Sequence, residues 1–128
     1  MSSVRLAFAA AALLLFAGPA AVARDAGPSA VVNMTFGLKF EPATVRIRAG
    51  QTVEWRNKGF FPHTVTFDAA QASDPSHVVL PAGVAPFSSG KIGAGETWRH
   101  TFTTPGEYHY ICQPHEDHEM LGVVIVAP

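Results

Sequence analysis

The chain has 128 residues, 48% of them hydrophobic, with 9 Lys and Arg against 10 Asp and Glu. That length suits one domain with a single core and is too short for two. A formal net charge of −1 and the lack of any basic stretch argue against a nucleic-acid partner.

The first residues read as a secretory signal. Arg5 supplies the positive charge, Leu6 to Ala17 is an apolar run, and Ala21-Val22-Ala23 is a small-residue cleavage site. The run is shorter than the about 20 residues a bilayer span needs, and Gly18-Pro19 breaks it. A retained anchor is the alternative reading. Cleavage after Ala23 leaves 105 residues, of which 24–30 are expected to be a short flexible leader and 31–128 the folded domain.

From there the pattern is one of short strands between Gly/Pro turns. Val31 to Phe36 reads as a strand and Phe40 to Thr44 as a turn containing Pro42. Val45 and Ile47 alternate with Arg46 and Arg48, the signature of a half-buried strand. Thr52 to Asn57 is the next strand, with Val53 and Trp55 facing inward, and His63 to Phe67 follows. Residues 68–95 are Ala-, Ser-, Pro- and Gly-rich and predict irregular connection, with at most a short strand at Val78 to Leu80. Glu96 to Phe102, Glu107 to Cys112 and Val123 to Val126 complete the set. About seven short strands of this kind predict an all-β sandwich or barrel.

The chemistry concentrates in Tyr108 to Gly122. This stretch holds the single cysteine, Cys112, with His115 three residues on and Met120 eight residues on. An unpaired Cys in an exported chain needs an explanation, and metal ligation is one. Thiolate, imidazole and thioether form a soft donor set; two His and one Cys with a weak axial Met is the electron-transfer copper arrangement. The second His must come from elsewhere, and His63 in Phe60-Phe61-Pro62-His63 is the best candidate. Met120 has an alternative reading as a core residue, with Glu116, Glu119 or His118 completing the site. His100 and His109 read as strand-surface or packing residues, His77 as solvated, and Trp55 and Trp98 as core aromatics.

On Phe40 to Gly50, Val53 to Asn57, Phe61 to Val65, Gly95 to Thr97, Pro105 to Tyr108, Tyr110 to His115 and Met120 to Val126, the chain resembles the cupredoxins of the plastocyanin/pseudoazurin-like group. The resemblance spans most of residues 31–126. It implies a Greek-key sandwich with the metal loop at one end. It also implies His63, Cys112 and His115 as equatorial copper ligands, Met120 as the axial one, and a one-electron carrier using Cu(I)/Cu(II). Three positions depart from the pattern: Thr64 stands where many relatives carry Asn, Glu119 where Gly is common, and His118 where a small or apolar residue is usual.

The expected function is therefore an exported, periplasmic, monomeric copper carrier that is not an enzyme. Its partners would be redox proteins met transiently over an apolar patch near Phe60, Phe61, Pro114 and His115. Phe60-Phe61-Pro62 as buried packing is the competing view of that patch. A copper-delivery protein, motivated by His118, is the alternative function. A copper enzyme would need a second centre, and one ligand cluster is evident.

Overall fold

The computed structural model of the protein describes residues 3, 9–18 and 27–128. Arg5 and the expected cleavage site at 21–23 lie outside the described residues. Residues 9–18 of the apolar run carry no helix or strand, and among the described residues no helix is long and apolar enough to cross a membrane.

The strands are β1 (Ala30–Met34), β2 (Phe40–Glu41), β3 (Thr44–Arg48), β4 (Gln51–Asn57), β5 (Thr66–Phe67), β6 (Phe87–Ser88), β7 (Thr97–Phe102), β8 (Gly106–Ile111) and β9 (Leu121–Ala127). They form a four-stranded sheet in the order β2-β1-β4-β7 and a five-stranded sheet in the order β3-β9-β8-β5-β6. The chain changes sheet after β2, β3, β4, β6 and β7, so the architecture is a Greek-key sandwich, not a closed barrel. β1 runs parallel to β4 and β3 parallel to β9; the other pairings are antiparallel.

Period-two alternation explains which side chains meet between the sheets. Val45 and Ile47 of β3 are buried while Thr44, Arg46 and Arg48 are exposed. Val32 and Met34 of β1, Val53 and Trp55 of β4, and Val124 and Val126 of β9 are buried in the same way. Each such side chain removed from water stabilises the fold by about 1.5–3 kcal/mol before conformational entropy is counted. At the centre Trp55 is fully buried, lies edge-on to Tyr110 with centroids 5.6 Å apart, and donates its indole N–H to the Tyr110 hydroxyl at 3.0 Å. That bond satisfies both polar atoms in the core.

Glu54 is also buried, on the outward parity of β4. Its carboxylate accepts from Arg56 at 2.8 and 2.9 Å and from Arg99 at 3.3 Å. Those hydrogen bonds and charges, led by Arg56, outweigh burial and hold the carboxyl below its ordinary range. A depressed folded-state value contributes stability that is present above the ordinary glutamate range and lost as pH falls through the folded one. We expect Glu54→Gln to cost about 1 kcal/mol at neutral pH, a modest figure because both guanidiniums are half in water. Urea melts at several pH values should show the gap between the two proteins closing in acid.

Several boundaries differ from the sequence reading. The turn at Phe40 to Thr44 contains β2, which pairs with β1 through Met34 and Phe40. The strand expected at His63 to Phe67 shrinks to β5, because its first amides bond elsewhere: His63 to Ile92 and Val65 to the Ser89 hydroxyl. Within residues 68–95, two 3-10 turns (Ala69–Gln71 and Pro75–His77) and β6 appear, and the strand expected at Val78 to Leu80 is a single bridge between Val79 and His109. None of these is long enough to show a period. Trp98 is half-buried and packs on Trp55 with centroids 5.3 Å apart.

Candidate metal centre

Three segments converge at one end of the sandwich: 58–64, 112–120 and the stretch around Ile92. The first leads from β4 into His63. Asn57, 2% exposed, organises it: its side-chain amide donates to the carbonyls of Phe61 and Ile92 at 2.8 and 3.0 Å, and its Oδ1 accepts from the Gly59 N–H at 2.9 Å. His63 is then pinned by a reciprocal backbone pair with Ile92 at 3.0 and 2.8 Å.

Residues 112–120 run between β8 and β9. The ends of this loop are closed by Cys112 N–H to Met120 C=O at 3.0 Å, and its middle by His115 N–H to Cys112 C=O and Met120 N–H to His115 C=O. Glu119 sits in the left-handed region at φ 57, which explains why glycine suits this position. The same turn leaves its side chain exposed, so Glu119 does not point into the site.

Thr64 joins the two loops. Its backbone N–H points at Cys112 Sγ (3.4 Å), and its hydroxyl accepts from the Gln113 N–H at 2.8 Å. The hydroxyl also bonds Thr66 at 2.9 Å. Threonine thus supplies the loop-to-loop tie at this position.

The donor atoms that result lie close together. His63 Nδ1 is 3.1 Å from His115 Nδ1, and Cys112 Sγ is 3.6 Å from His63 Nδ1 and 3.4 Å from His115 Nδ1. Separations of this size leave room for one small cation shared by the two ring nitrogens and the sulfur. Among the described residues, this is the group of three or more His, Cys or carboxylate side chains placed to hold a metal. Cys112 and Met120 are fully buried and His63 is 1% exposed, whereas His115 is half-buried.

Electrostatics favour lone pairs at this point. Burial, then the neighbouring His115, push the His63 ring below the usual histidine range. Burial and the nearby His118 lower His115, against an upward pull from Asp117. Both imidazoles are therefore neutral near pH 7. Burial raises the Cys112 thiol despite the Thr64 and His115 hydrogen bonds; a bound cation supplies the charge that a buried thiolate needs.

The fold brings the sequence-nominated His63, Cys112, His115 and Met120 to this one end. His118 is exposed, its ring centroid 6.3 Å from that of His115, and lies outside the donor group. His100 stacks between Phe87 and Trp98, and His109 bonds Glu107 at 2.6 Å. The expectation that His77 is solvated is corrected: it is half-buried and bonds the Glu116 carboxylate at 2.9 Å. Phe60 and Phe61 are 78% and 60% exposed, and Phe36, which the sequence did not suggest, lies edge-on to Phe60 at 4.7 Å. Pro114 is exposed as well. Asn57 and the buried role of Glu116 were also missed, since a lone Asn or Glu near a loop carries no periodic signal.

A soft three-donor group closed into the end of a two-sheet sandwich defines a class of copper protein. Residues 29–127 match the family model of copper binding proteins of the plastocyanin/azurin family, and the chain belongs to that family; copper is its cofactor. It is 43% identical over 93 residues to chloroplastic plastocyanin of Tetradesmus obliquus, covering 70% of this chain and 59% of that protein. The match to plastocyanin of Scenedesmus fuscus is 35% identical over 89 residues, covering 70% of this chain and 87% of the relative. Among solved structures, the Cu(I) form of a methionine-to-alanine mutant of amicyanin aligns with a TM-score of 0.62 at 30% identity, covering 81% of this chain and 87% of that one. The copper-containing nitrite reductase of Thermus scotoductus aligns with a TM-score of 0.61 at 34% identity, covering 79% of this chain but 22% of the enzyme.

Proposed function

We propose that this protein is an exported one-electron carrier that holds a single copper ion through His63, Cys112 and His115, with Met120 as the axial ligand. The observation that supports it most is the preformed donor triangle, 3.1 to 3.6 Å on a side, made from two loops tied together by Thr64. Copper supplies the reversible Cu(I)/Cu(II) couple. The chain supplies the rest. Thiolate and thioether suit Cu(I) and imidazole also suits Cu(II), so one rigid set serves both states with little rearrangement. Burial of Cys112, His63 and Met120 excludes water from three of the four positions.

His115 is the donor nearest the surface, and Phe61 lies 6.4 Å from it, centroid to centroid. Phe36, Phe60, Phe61 and Pro114 are exposed, with Phe36 against Phe60 and Phe61 near His115, and exposed apolar side chains gathered in this way are the kind of surface that meets another protein. We assign it to brief docking of redox partners, a task for which small interfaces suffice. The periplasm, cleavage of the signal after Ala23, a folded domain at 31–128 and a monomeric state complete the proposal. Nothing in the geometry favours the delivery reading, since His118 stands outside the donor group.

Titration of the purified domain with Cu(II) tests the assignment. An intense thiolate-to-copper absorption band saturating at one equivalent, with small copper hyperfine splitting in EPR, is the expected result. A pale spectrum with ordinary splitting would remove Cys112 from the equatorial set and with it the carrier reading. Rapid surrender of the ion to an acceptor protein would favour delivery instead.

A further inference from the structure

Glu116 follows His115 directly, yet its carboxylate turns away from the donor group and is buried, with 5% of the side chain exposed. It accepts the Ser73 N–H at 2.7 Å, the Asp74 N–H at 3.0 Å and a hydrogen bond with His77 Nδ1 at 2.9 Å. Burial alone would raise this carboxyl; the two amides and His77 outweigh it, and the net direction is down. A buried carboxylate without partners is strongly unfavourable, so three good hydrogen bonds mark a specific fit.

The segment it grips buries none of its own side chains in its two turns and is otherwise fastened by the backbone pair between Val79 and His109 that follows it. The two 3-10 turns at Ala69–Gln71 and Pro75–His77 contain no buried residue. They are shaped locally instead, by Asp68 capping Ala70 and Asp74 capping Ser76 at 3.0 and 2.9 Å. Elsewhere on the same metal loop, Lys39 Nζ donates to the His118 carbonyl at 2.9 Å. With the Thr64 tie at Gln113, the loop is thus clamped along its length, and the Glu116 clamp attaches one peptide bond from a donor residue.

We propose that Glu116 is a positioning residue for the metal loop, a latch that fastens the peptide carrying His115 to the 73–77 turn and so keeps the Nδ1 donor in the triangle. His77 reinforces the latch through Glu116. Partners one step removed from a ligand typically change metal affinity by about 10–100-fold when lost. The inference rests on the copper assignment above, and its failure is separable from failure of that assignment.

The test compares wild type, Glu116→Ala, Glu116→Gln, His77→Ala and the Glu116→Ala/His77→Ala double variant. The main readout is the rate at which Cu(I) is lost to a chelator, with the EPR hyperfine splitting of the Cu(II) form and amide exchange at Ser73 and Asp74 in the metal-free chain alongside. We expect copper loss to be about 10–100-fold faster in Glu116→Ala, intermediate in Glu116→Gln, which keeps one acceptor oxygen, and smallest in His77→Ala. The double variant should lose copper no faster than Glu116→Ala, because His77 acts through Glu116. Exchange at the Ser73 and Asp74 amides should rise in Glu116→Ala even without metal. If Glu116→Ala does not fold, Glu116→Gln and His77→Ala carry the comparison. Copper loss within about twofold of wild type in the folded Glu116 variants, or full additivity in the double variant, overturns the latch. A wild-type chain lacking the thiolate band refutes the copper assignment instead.

Discussion

Replacing Cys112 with Ser is expected to abolish the intense visible band while leaving the sandwich folded. The serine hydroxyl stays protonated near neutral pH and is a hard oxygen donor, so it offers copper neither a charge-transfer partner nor the preference for Cu(I) that a thiolate gives. We expect affinity for Cu(I) to fall at least tenfold, about 1.4 kcal/mol, and the EPR of any bound Cu(II) to show ordinary hyperfine splitting. The fold should survive because the substitution is nearly isosteric. The buried hydroxyl inherits the Thr64 N–H now aimed at the sulfur, 3.4 Å away, so the metal-free chain should lose about 1 kcal/mol, about 4–8 °C in Tm. A variant that keeps the band would place the chromophore elsewhere. Visible absorption, EPR and a melt of the metal-free chain decide the matter together.

The second large effect is expected far from any donor atom. Gly122 on β9 sits directly opposite Tyr110 on β8, and a Cβ there would clash with the hydroxyl end of the Tyr110 ring, at its Cζ and oxygen. That ring has no room to retreat. Tyr110 is fully buried, packs edge-on to Phe40 at 4.7 Å and tilted against Phe67 at 4.8 Å, and accepts the Trp55 indole N–H at 3.0 Å. Gly122→Ala should therefore cost ~3 kcal/mol, at the top of the range for inserting one methyl into a packed core. Against the about 5–15 kcal/mol of a typical domain that is a large fraction. Tyr110 lies two residues before Cys112 and Gly122 two residues after Met120, so both ends of the metal loop emerge from this contact. The variant should accordingly bind copper more weakly as well as melt earlier. Denaturant unfolding of the metal-free protein measures the first effect and Cu(II) titration the second; an unchanged midpoint would mean that the Tyr110 cluster can move.

How far the residue order alone carries can be judged from the same elements. Alternation in 45–48 and 52–57 placed Val45, Ile47, Val53 and Trp55 inward, and the structure buries all four. Such patterns are legible because each strand face is decided by its own neighbours. The Cys112, His115 and Met120 spacing was legible for a related reason: all three lie on one loop, closed by local bonds such as Cys112 N–H to Met120 C=O. His63 could be nominated from its place after the Phe60-Phe61-Pro62 loop and from the family resemblance, but its approach to Cys112 could not be read, because the bonds that bring it there cross 48 and 49 residues at Thr64 and Gln113.

The irregular stretch 68–95 marks where this reading stops. Its composition predicts connection and nothing more, and His77 within it looked like a solvated side chain. The structure instead turns His77 and the amides of Ser73 and Asp74 onto Glu116, 39 to 43 residues away. A 3-10 turn of three residues has no period, and a hydrogen bond to a backbone amide leaves no trace in residue type. The exposure of Phe36, Phe60 and Phe61 is equally silent, since the same aromatic letters describe a core or a docking face.

By itself, then, the sequence determined the kinds of donor atom, the loop that carries three of them, and the alternating strands that make a sandwich. Each of those is a property of residues near one another in the chain. Only the tertiary structure brought His63 to the triangle, and only it decided that Glu119 and His118 face water and that Glu116 is held from across the fold. Those outcomes depend on contacts between distant segments, which are set by how the two sheets pack.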